Sequence, residues 1–106
     1  MPLKPNDEIR KKLEQAALKA YRVYLAEYIG RIKEADTIPL PELLLEALRK
    51  LSVNKRIKYD KSRLLISAVS WLLEEVPDTD NKKTEIISLY LQARSRLVLA
   101  QHPKKP

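Results

Sequence analysis

A single glycine, Gly30, serves a chain of 106 residues, and that scarcity constrains the fold more than any motif does. Tight hairpin turns draw on glycine for backbone at positive φ, so a β-rich fold lacks the material to close its strands. Leu, Ala, Lys, Arg and Glu dominate instead, all good helix formers. The length is enough for one domain with one core and too short for two. A hydrophobic fraction of 44% beside a charged fraction of 33% suits a folded domain. The expectation is an all-α protein, a single small four-helix bundle or related helical array over residues 1–106.

Apolar spacing and helix breakers divide the chain into four helices. The first is expected at about 7–35, with Asn6 as N-cap and Asp7 and Glu8 favouring the helix dipole. Ile9, Leu13, Ala17, Tyr21, Tyr24, Leu25, Tyr28, Ile29 and Ile32 recur at intervals of three and four along it. Gly30 then falls inside this helix, where a close crossing or slight bend would account for it. Pro39 and Pro41 break the pattern, and Pro41 suits the first position of a second helix at about 41–51. A third is expected at about 60–76, capped by Asp60 and stopped by Pro77. Being apolar around most of its girth, it belongs at the centre of the packing, Trp71 included. The fourth runs over about 82–101, and a disordered tail is expected at about 102–106.

Most catalytic chemistry fails on inventory. Cysteine is absent, which removes disulfides, thiolate metal sites and thiol nucleophiles. His102 is the sole histidine and lies in the tail, so neither a Ser-His-Asp triad nor a histidine metal pair can be built within one chain. One glycine cannot supply a phosphate-cradling loop. Glu74 and Glu75 are neighbours on a helix and point about 100° apart, away from any shared substrate atom. Counting a calcium loop from Asp78 puts Lys83 and Leu89 where glycine and glutamate are required, so "DTDN" reads as helix capping. Neither enzyme activity nor a cofactor is expected. No apolar run is long enough for a membrane span, and "MPLKPNDEIRKK" lacks the apolar core of a secretory signal. A cytoplasmic protein is the expectation.

Charge is the positive signal. The net charge is +7, with 8 basic against 5 acidic side chains in residues 1–35, 7 against 6 in 36–76, and 6 against 3 in 77–106. The densest stretch, "SVNKRIKYDKSR" at 52–63, sets five cations against Asp60 alone. Lys55, Arg56, Lys58 and Lys61 could hold phosphates there, with Tyr59 stacking on a base. On the first helix, Lys12, Gln15, Lys19, Arg22 and Lys33 fall within an arc of about 80°. Arg94 and Arg96 add to the count near the chain's end. The third helix is too apolar to enter a major groove, so binding would be salt-sensitive and blind to sequence. Tyr21, Tyr24 and Tyr28 share the apolar arc and read as core, whereas Tyr59 reads as a partly exposed loop residue.

The fourth helix carries more apolar surface than one bundle seam needs. Beside its core stripe run Ile87, Leu91 and Val98, expected to face a protein partner or a second copy. In size, charge and helix content the chain resembles the small helical subunits of CRISPR effector complexes, which line a nucleic-acid path. The resemblance is one of class and no motif carries it. It implies an accessory subunit that touches both nucleic acid and protein neighbours. Bacteriocin immunity proteins are similar in the same gross respects, and imply a protein-interaction module with no nucleic acid.

Overall fold

The computed structural model describes residues 5–54 and 58–101. It is an all-α four-helix bundle: α1 Pro5–Tyr28, α2 Leu40–Val53, α3 Tyr59–Leu73 and α4 Lys83–Gln101, with a 3-10 turn at Ile32–Glu34 between α1 and α2. Lys55, Arg56 and the 102–106 tail lie outside the described residues. Around the bundle the helices follow the order α1, α2, α4, α3, and α2 also crosses to α3 through the middle. α3 runs antiparallel to α1, since Tyr24 and Tyr28 lie beside Lys61 and Leu65 while Ile9 and Leu13 lie beside Trp71.

Helix α3 belongs to the centre of the packing as expected, and α2 shares that place, since each of the two packs against all three other helices. Leu43, Leu44, Leu45, Ala47, Leu48 and Leu51 are all buried, and they meet Leu65, Val69 and Leu72 of α3, Leu25 of α1 and Ile86 of α4. α1 and α4 do not touch each other, so α3 keeps one face open between them. Trp71, expected in the core, is consequently 48% exposed, its ring tilted against Tyr21 with centroids 6.2 Å apart. Tyr21, Tyr24 and Tyr28 are half-buried and pack on the core, as their shared arc predicts.

The largest departure from the sequence reading is the end of α1. The helix stops at Tyr28, and Gly30 adopts φ +77°. The Gly30 amide donates to the Glu27 carbonyl and the Arg31 amide to that of Ala26, the paired bonds of a Schellman cap. A Cβ at Gly30 would meet nothing within 4 Å, so glycine is needed for its backbone freedom and not for space. Ile29 and Ile32 prolong the apolar rhythm across this cap, which is why periodicity alone overran it. The segment after the cap folds back over α1 and buries Ala35 and Ile38.

Two arginines fasten that segment. Arg22 donates from Nε to the Ala35 carbonyl (3.1 Å) and from Nη2 to that of Ile38 (2.7 Å). Arg31 binds Glu34 through Nε (2.7 Å) and Glu46 through Nη1 (2.8 Å), tying the turn to α2. At the other end of the bundle, Lys83 donates to the Val76 carbonyl and pairs with Asp78 at 2.6 Å, while Asp80 accepts the Lys82 amide. The "DTDN" stretch thus forms a turn that leads into α4, with Asp80 accepting the amide of the residue before the helix.

Hydrogen bonds from Arg31 and Lys83 hold the carboxyls of Glu34 and Asp78 below their ordinary values. A carboxyl whose folded pKa is depressed contributes stability that is complete above the unfolded pKa and lost as pH falls through the folded one. Acidification below the usual carboxylate range should therefore loosen the 30–38 and 77–83 segments. Amide exchange followed by NMR should show them opening before α2, and high salt should shrink the effect because both carboxyls are exposed. Uniform opening of all segments would refute this.

Candidate functional site

Two clefts flank α3, on opposite sides. The first lies where the end of α1, the end of α2 and the start of α3 converge, and encloses about 360 Å³. Tyr24 and Tyr28 form the α1 wall, and Leu51 and Asn54 come from α2. Lys58, Lys61, Ser62 and Leu65 complete it from α3. Lys58 is the residue preceding α3 and provides no side-chain cap, so the first-turn amides add to a positive field that Asp60 partly offsets. Lys58 and Lys61 are exposed and form no ion pair with any described residue.

Burial, first, raises both tyrosine pKa values, aided by Glu27 for Tyr24 and by Tyr24 for Tyr28. Both phenols, protonated at neutral pH as tyrosines ordinarily are, can donate hydrogen bonds. Lys50 sits over the Tyr28 ring, 4.8 Å from its centroid, and also donates to the Tyr28 carbonyl. A cation on the ring fixes its orientation without neutralising the cleft.

The second cleft is the groove between α3 and α4, about 400 Å³, with Arg63 and Trp71 on one side and Tyr90, Arg94 and Val98 on the other. Ile66 and Leu97 also line it, and the surface continues along α4 over Leu91 and Leu99. Ile87, Leu91 and Val98 are 37%, 52% and 50% exposed, so the second stripe of α4 faces outward.

The expected site residues sort into three groups. Lys58 and Lys61 share the first cleft; Tyr59, expected in a loop, is instead the first residue of α3 and half-buried. Lys12, Lys19, Lys33 and Arg94 are exposed and stand on three separate elements, α1, the 3-10 turn and α4. The stripe foreseen on one helix is divided, because α1 ends at Tyr28 and Lys33 stands on the 3-10 turn. Arg22 and Arg96 point inward. Arg96 donates to the carbonyls of Leu51, Ser52 and Asn54, capping the C-terminus of α2 where a cation also favours the dipole.

Apolar spacing places Tyr24, Tyr28 and Trp71 in the core, and the charge of the 52–63 stretch does not by itself set Arg63 beside Trp71. The spacing of Arg63, Ser67 and Ser70 was the available signal for an open α3 face. No family model, curated protein or solved structure matches the chain. No described helix is long and apolar enough to cross a membrane.

Proposed function

We propose that this protein is a non-catalytic cytoplasmic binding module that holds the phosphate backbone of nucleic acid, without reading its sequence, inside a larger nucleoprotein assembly. The observation that carries this reading is the convergence of Lys58 and Lys61, which pair with no carboxylate among the described residues, with Tyr24 and Tyr28 on one cleft. Lysines supply phosphate contacts, and a tyrosine ring supplies a platform for an unstacked base. Single strands, whose bases are free to enter, fit such a cleft better than a duplex does.

Fluorescence anisotropy of labelled oligonucleotides across a salt series tests it. Affinity should fall linearly with salt on logarithmic axes, by about 0.7 in slope per phosphate contact on a single strand. Lys58→Glu with Lys61→Glu should weaken binding more than about tenfold and flatten that slope by at least one contact. No binding at low salt, or an unchanged slope in the double variant, would eliminate the cleft as the site.

A second reading has its own support. The outward stripe of Ile87, Leu91 and Val98 offers apolar surface that no helix of the bundle covers, and a protein neighbour is the natural occupant. The two surfaces lie apart, so both can serve one accessory subunit.

A further inference from the structure

We infer that the α3–α4 groove docks an acidic amphipathic helix supplied by a partner protein, with Trp71 as its principal anchor. The inference deepens the second reading above and rests on it.

Single exposed apolar side chains are ordinary, but here Trp71, Leu91, Val98 and Leu99 adjoin a groove long enough to receive a helix. Its lining runs from residue 63 to 71 on α3 and from 90 to 98 on α4, about 12 Å of helix length on each side. Two to three turns of a partner helix would lie along it, its apolar residues spaced by three and four. Trp, Tyr and Arg are the residue types that concentrate binding energy at interfaces, and Trp71, Tyr90, Arg63 and Arg94 all face this groove.

Charge decides the occupant. Arg63 and Arg94 form no ion pair with any described residue, and no carboxylate is among the groove's lining residues. A second copy docking about a two-fold axis would set this basic patch against its own image, which like charges oppose. Glutamates flanking an apolar stripe would instead meet both guanidiniums in charge-assisted pairs. Nucleic acid could stack on Trp71, yet Leu91, Val98 and Leu99 offer phosphates nothing.

Trp71 is the only tryptophan in the chain, so its fluorescence reports on this groove and on the neighbouring α1 surface at Ile9 and Leu13, which the Arg94 and Leu91 variants below tell apart. The probe is a display library of 16-residue helices with a fixed leucine stripe and flanks varied among Glu, Gln and Lys, selected against the full chain. Glutamate-rich flanks should be enriched, and the enriched peptides should shift Trp71 emission to the blue in a saturable way. Arg94→Glu should weaken that binding about tenfold or more, and Leu91→Glu should also weaken it while leaving helix content unchanged. Failure to enrich any peptide, or enrichment of lysine flanks, overturns the inference. Binding lost in Leu91→Glu but indifferent to Arg94→Glu overturns the acidic partner while leaving a protein interface standing. A dimer in sedimentation that Leu91→Glu dissolves gives the groove to a second copy, and quenching of Trp71 by an oligonucleotide that displaces the peptide gives it to nucleic acid; either result defeats the proposal.

Discussion

Truncating Leu48 to alanine should cost about 2–5 kcal/mol of unfolding free energy, much of what a domain this size possesses. Leu48 lies in the middle of α2 and is buried in the core that α2 shares with its three neighbours. The surroundings cannot collapse into the space without pulling several helices off their seats, so the loss should approach the upper part of that range. The same truncation at Leu91 should fall within about 0.5 kcal/mol of neutral, because that side chain is half exposed. Urea unfolding of the two variants measures both. Equal losses would mean that the α4 stripe is buried and unable to serve as an interface.

Replacing Arg22 by methionine should cost about 2–3 kcal/mol, since the aliphatic stem is kept while two hydrogen bonds from a charged donor are lost. The carbonyls of Ala35 and Ile38 would lose their guanidinium partner on a segment that otherwise folds back over α1. Each kcal/mol corresponds to a fall of roughly 4–8 °C in Tm for a domain of this size. Oligonucleotide affinity and its salt slope should stay unchanged in the folded variant. A preserved Tm with a slope reduced by one contact would show instead that Arg22 works on phosphates.

Legibility followed the range of the interaction. Prolines at 39 and 41 marked the start of α2 to within one residue, and Asp78 to Asn81 marked the turn before α4. These are short-range effects of backbone sterics and capping, written in neighbouring residues. The Gly30 cap was also written locally, but it was masked by Ile29 and Ile32, whose spacing imitates a continuing helix. The candidate cleft was half legible: Lys58 and Lys61 stood out by charge, whereas Tyr24 and Tyr28 looked like core because they do pack on it. A half-buried aromatic has one face in the core and another at the cleft, and periodicity records only the first.

By itself the sequence determined a helical chain with four segments and the breaks before α2 and α4, since helix geometry and its breakers act over a few residues. Which cations reach solvent was decided only in three dimensions. Arg22, Arg94 and Arg96 are alike as residues, yet two turn toward carbonyls and one faces a groove. The difference comes from what stands opposite each: a guanidinium goes where unpaired acceptors await it, and those acceptors arrive from segments 13 to 45 residues away.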